Sequence, residues 1–240
     1  MNTQLYTGIK KNSSFLFLML LFFIFIGFFN SSCDNINNKN EEKDKALARK
    51  NAITSINEHY DSLIQKFDKK FVSHFPSSLD TNIKAISSST APGTNIYLMY
   101  TAIKCDSINS VYDNYKDIAI KEYSANDSCL LVANRFENDS NFWKLSEKDI
   151  DTKNISKKCY KDKLPVPNFY RLDLYKTSTN ECRLSDDFSI LVIDADKGKY
   201  KDSSVLPDTW YMPKKWRHGY SRGVAISKKR QVLVYWVIIW

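Results

Sequence analysis

Hydrophobic residues are distributed along this chain in three regimes, and each predicts a different kind of element. From Phe15 to Phe29 every residue is apolar except Gly27, with Lys10 and Lys11 on the upstream side. A helix of about 15 residues rises roughly 22 Å, short of the roughly 30 Å hydrocarbon core of a bilayer. A basic start followed by a short apolar run has the layout of an export signal, not of a membrane span.

The second regime is periodic. Between about Lys43 and Phe71 the apolar positions Ile53, Ile56, Tyr60, Leu63, Phe67 and Phe71 recur every three or four residues. That spacing predicts one long helix with a single apolar stripe. Pro76 and the serines beyond it end the pattern.

The third regime is aromatic and β-branched, as strands are. It covers residues 95 to 104 (NIYLMYTAIK), Ile118 to Tyr123, Cys129 to Ala133, Tyr170 to Tyr175 and Ser189 to Asp194. Val224 to Ser227 and Gln231 to Trp240 flank Lys228-Lys229-Arg230, the outline of a tight hairpin. Val232 to Trp240 are apolar without interruption, which predicts a strand covered on both faces. The polar residues 137 to 168, with Pro165 and Pro167, read as mostly loop with a short helix near Trp143. The expected fold is therefore α+β: a long N-terminal helix packed on a mainly antiparallel sheet, with a C-terminal hairpin whose last strand is buried and central. Residues 46–240 form one expected domain.

Directly after the first apolar run stand Asn30, Ser31, Ser32 and Cys33, followed by polar residues as far as Asp44. Over residues 1–33 this order resembles bacterial lipoprotein signals, although such signals usually carry leucine where Asn30 stands. The resemblance implies a diacylglyceryl group on the Cys33 thiol, removal of the signal peptide 1–32, and a spacer over 33–45. Two or three acyl chains, such as palmitate, hold a protein at a membrane almost permanently, at about 0.8 kcal/mol per buried methylene. The expected location is the cell envelope, with the outer membrane favoured, and the expected membrane contact is the lipid anchor itself.

Charge and cysteine content narrow the remaining classes. The whole chain carries a formal +8. Without Lys10 and Lys11 the mature part carries +6, from 33 basic and 27 acidic residues. Lysines interleave with acids along the sequence, a solvated exterior and no nucleic-acid stripe. Cys105, Cys129, Cys159 and Cys182 are candidates for two disulfides in an oxidising compartment. Three pairings are open; the sequential one, Cys105 with Cys129 and Cys159 with Cys182, closes loops of about 24 residues. No close ligand pairs of the zinc type occur, so no metal or other cofactor is expected.

Chemistry-bearing motifs are sparse. Gly219-Tyr220-Ser221-Arg222-Gly223 fits the G-x-S-x-G nucleophile elbow, but no Asp, Glu or His follows Ser221 to complete the order that fold uses. His218 with Ser221, or with a carboxylate such as Asp194 or Asp196, defines the alternative of an envelope hydrolase. The Asp194 and Asp196 pair lacks the further ligands of a calcium loop. The densest feature is residues 210 to 223 (WYMPKKWRHGYSRG). Trp210, Tyr211, Trp216, Arg217, His218, Tyr220 and Arg222 place aromatic rings beside cations, a composition suited to stacking and cation–π recognition of a protein or glycan partner. From Leu164-Pro165-Val166-Pro167 onward the chain resembles the C-terminal part of uncharacterised lipoproteins of Bacteroides-related bacteria, which implies no specific activity. The leading expectation is a non-enzymatic envelope binding or accessory protein. A third expectation is an assembly subunit that pairs through the 46–72 helix.

Overall fold

A computed structural model describes residues 41–89, 91, 93–136, 155, 157–172, 181–206 and 209–240. The signal peptide, Cys33 and the first part of the spacer lie outside the described residues, as do the helix expected near Trp143 and residues 173–175 of one expected strand. The chain divides into two units, Met1–Thr54 and Ser55–Trp240. In the first, residues 41–54 are helical, with an ion pair from Lys45 to Glu41 at 2.6 Å. Residues 41–45, expected to be spacer, are therefore helical.

The second unit is built on six strands: β1 Ile83–Ser88, β2 Asn95–Tyr100, β3 Lys121–Ser124, β4 Ser189–Lys197, β5 Gly219–Ser227 and β6 Val232–Ile239. They form one antiparallel sheet in the order β1-β2-β6-β5-β4-β3. The apolar run at the C-terminal end is thus a central strand, as expected. Val232, Val234, Trp236 and Ile238 face one buried cluster, while Leu233, Val237 and Ile239 face another. The uninterrupted run follows directly from burial on both sides.

The cluster on one face contains Tyr60, Leu63, Phe67, Phe71 and Phe75. On the other it is made by loop residues, among them Leu130–Ala133, Tyr160, Phe169, Leu184, Met212 and Trp216. Small residues of β5 make this second layer possible. A Cβ at Gly223 would overlap the Leu191 carbonyl oxygen and lie 2.8 Å from the Trp236 indole, so the fully buried tryptophan needs glycine opposite it.

The apolar stripe is real, but one continuous helix does not carry it. α1 spans 41–64 and then tightens: the Lys66 and Phe67 amides bond to the Leu63 and Ile64 carbonyls, three residues back, at 3.2 and 3.0 Å. Asp68 is extended (φ −62°, ψ 140°), and α2, Lys69–Val72, restarts the helix. The break lets Phe67 and Phe71 reach the core from two short pieces. Gly93, at φ +66°, comes so close to the Lys66 carbonyl that a Cβ has no room there.

Four expected strands are corrected. Those expected at 95–104 and 118–123 are the shorter β2, Asn95–Tyr100, and β3, Lys121–Ser124, and between them lies α3, Cys105–Ile118, which was not expected. Cys129–Ala133 makes only a single parallel bridge, Val132 to Val166. Phe169–Leu172 is a 3₁₀ turn that sends Phe169 and Leu172 inward together and leaves Tyr170 49 % exposed. Alternation would have buried Tyr170 with Leu172. The strand β1 was not expected, because half of its positions are serine or lysine.

Among the described residues one disulfide forms, Cys129–Cys159, with Cα atoms 6.2 Å apart. The sequential pairing is therefore not made. Cys105 is exposed at the start of α3, and Cys182 is a buried thiol in the loop-covered cluster. Burial pushes the Cys182 thiol up to about 11.

Among the described residues no helix is long and apolar enough to cross a membrane.

Candidate functional site

A bulge in β4 determines which side chains meet on the helix-covered face. Val192 pairs with Gly223 but Asp194 pairs with Arg222, leaving Ile193 as the extra residue. Strand alternation alone would send Asp194 to the face opposite Leu191. The bulge returns it, and with it Asp196, to the face that carries Tyr220 and Arg222. Tyr220 donates to Asp194 Oδ2 at 2.8 Å, and Arg222 Nε donates to the same oxygen at 3.3 Å. Arg222 Nη1 reaches across to Ser73 Oγ at 2.8 Å. Tyr200 donates to Asp196 Oδ2 at 3.0 Å. Phe71, Tyr200 and Tyr220 pack edge to face as a trio, with ring centroids 4.8 Å apart for Phe71 and Tyr220, 5.8 Å for Phe71 and Tyr200, and 4.7 Å for the two tyrosines.

Beside this network lies a pocket of about 480 Å³ walled by Phe75, Tyr115, Ile193 and Tyr235, with His74 and Arg222 at its polar end. His74 Nε2 lies 3.2 Å from the Gly223 carbonyl oxygen and 3.1 Å from that of Trp236. Two acceptors at one nitrogen place the proton on Nε2 and leave Nδ1 as an acceptor. Nδ1 is buried and has no partner among the described residues. Burial, reinforced by the Arg222 cation, holds the His74 imidazole down to about 3, so it is neutral at physiological pH. Tyr115 donates to the His74 carbonyl at 2.9 Å and fixes the backbone there. Burial, then the neighbouring Tyr115, raises the Tyr235 phenol above its ordinary range.

The expected recognition segment is split by the sheet. Tyr220 and Arg222 point into the helix-side network, whereas Trp216 packs into the loop-covered cluster. Trp216 is 7 % exposed, and its carbonyl accepts from the Trp240 indole at 2.7 Å. Trp210 stacks edge-on with Tyr211, and Tyr211 with Phe136. His218 and Arg217 are half-buried at the start of β5; the His218 carbonyl accepts from Gly198, and the Arg217 carbonyl accepts from the Thr209 amide and hydroxyl. The seven residues therefore do not make a single patch.

Ser221, the third residue of β5, is fully buried and donates to the Pro165 carbonyl at 2.6 Å. No strand–turn–helix elbow surrounds it, and a nucleophile role has no geometric basis. Tyr60, Leu63, Phe67 and Phe71 are buried within their own unit, so the stripe from Tyr60 onward is not open to a partner helix. Among the described residues no three His, Cys, Asp or Glu side chains converge to hold a metal ion.

Sequence reasoning missed His74, Ser73, Tyr115 and Tyr235. The one local signal was a histidine inside Ser73-His74-Phe75-Pro76, where a helical pattern stops. Comparison with known proteins finds no matching family model, no similar curated protein and no similar solved structure.

Proposed function

We propose that this protein is a lipid-anchored, non-enzymatic binding module of the cell envelope, tethered through Cys33, that takes a small polar ligand in the His74–Arg222 pocket. The observation that carries the binding reading is how the pocket's polar groups are held. Arg222 is fixed by Asp194 and Ser73, and His74 is fixed by two strand carbonyls. A fixed cation beside aromatic walls supports recognition. The pocket does not support proton transfer, because a neutral imidazole held at about 3 is a weak base at physiological pH. Arg222 favours a ligand with an acidic or strongly accepting group.

Two experiments test the reading. Tagged wild type and Arg222→Ala are recovered from intact envelopes, and small molecules released on denaturation are compared by mass spectrometry. The expected result is a species retained by wild type and depleted in the variant; identical profiles sink the pocket assignment. Labelling with a clickable fatty acid tests the anchor. Equal labelling of wild type and Cys33→Ser, or none of either, sinks that part.

A further inference from the structure

Away from this pocket, two short lysine-rich runs that are distant in the sequence come together. Lys157, Lys158 and Lys161 from one segment face Lys214 and Lys215 from another, around a depression of about 500 Å³ with Tyr160 and Pro213 in its wall. The two segments are tied directly, since Lys215 Nζ donates to the Lys161 carbonyl at 2.6 Å. Arg135 adds a sixth cation behind the wall, with Nη2 donating to the Tyr160 hydroxyl at 3.0 Å. Among the described residues one carboxylate pairs with the group, Glu181 with Lys157 at 3.4 Å. The side-chain ammoniums of Lys158, Lys161 and Lys214 have no ion-pair partner there.

Exposed like charges gathered on one surface raise the local positive potential, which attracts anions. The cluster is also held in place. The Cys129–Cys159 disulfide pins the segment between Lys158 and Tyr160, and Lys163 pairs with Asp127 at 2.5 Å just beyond it. Lysine ammoniums are compact point charges, best matched by the small, highly charged phosphate group.

We infer that the Lys157–Lys161 and Lys214–Lys215 cluster is a second binding site, selective for a phosphate group, whether free or borne by a lipid head group. It requires neither the Cys33 anchor nor the His74–Arg222 pocket.

The test uses the full chain, purified in detergent, and isothermal titration at low salt. Three probes are compared: inorganic phosphate, monomeric short-chain phosphatidylglycerol, and digalacturonate as a carboxylate of similar charge. The variants are Lys158→Ala/Lys161→Ala/Lys214→Ala and the same positions changed to arginine. All three side chains are exposed, and unchanged melting of the variants verifies the fold. The expected result is binding of a phosphate probe that weakens with salt, falls about tenfold or more in the alanine variant and survives in the arginine variant. Tighter binding of the lipid probe assigns a head group as the source, and tighter binding of inorganic phosphate assigns a free ion. No binding of either, equal binding of digalacturonate, or equal affinity in the alanine variant overturns the site.

Discussion

Asp194 faces Arg222 across β4 and β5, and the two are joined at 3.3 Å because a single extra residue, Ile193, shifts the register between them. The same carboxylate oxygen accepts from Tyr220, so one acid organises two residues of the expected recognition segment. Asp194→Ala should destabilise the fold by about 1–2 kcal/mol, with part of the ion-pair contribution screened because Asp194 is 38 % exposed. A double-mutant cycle with Arg222→Ala, read from urea midpoints, should give a coupling that shrinks as salt rises. A coupling of zero at low salt means that the pair does not hold the network.

His74 makes stability depend on pH in a definite direction. Its imidazole, ordinarily near 6.5, is held at about 3 in the fold by burial and by Arg222. Between those values the unfolded chain takes up a proton that the folded chain refuses. The stabilisation is complete above about pH 6.5 and drains away as pH falls toward 3, by on the order of 4 kcal/mol at most. Thermal melts should show this decline in wild type and a flatter profile in His74→Gln over the same window. Parallel profiles exclude the assignment.

The cysteines give a chemical readout. With the protein native, a thiol reagent should label Cys105 and spare Cys182, which becomes reactive only on unfolding. Peptide mapping should recover Cys129 linked to Cys159. Replacing both by serine should cost about 3–4 kcal/mol for a loop of 30 residues, measured by denaturant unfolding. A Cys105–Cys129 peptide would contradict the fold of the loop layer.

Gly223→Ala tests the fit of the loop-covered layer. The added methyl meets the Leu191 carbonyl and the Trp236 ring at once, and neither can move without breaking the sheet. The expected loss is about 3 kcal/mol or more. A variant as stable as wild type would show that β5 and β6 are not packed in this register.

How far the sequence carried differs from element to element, for physical reasons. β6 was legible because burial on both faces leaves an unbroken apolar run, and the second half of β5, Val224 to Ser227, because a basic turn separates it from β6; Gly219–Gly223 were not read as strand. α3 was not, although Ile108, Val111, Tyr112 and Tyr115 lie on one helical face. It is rich in Ser, Asp and Asn, and only Ile108 is fully buried. The pocket was hidden for a different reason. Ser73–Pro76, Tyr115, Ile193 and Tyr235 come from four distant segments, and a one-residue bulge decides which face the acid beside them takes. The lysine cluster was hidden because its two lysine-rich runs, 157–161 and 214–215, stand more than fifty residues apart and meet only in the fold.

The strand order sets a timetable for folding. β2 has β6 as one of its neighbours, with Asn95 opposite Ile238, and β4 has β5, so neither outer pair can close the sheet until residues 219–239 have been synthesised. Contacts so distant along the chain form slowly. Until then the chain can hold only the separate β1–β2 and β3–β4 pairs, so the six-stranded sheet is the last part of the fold to be joined.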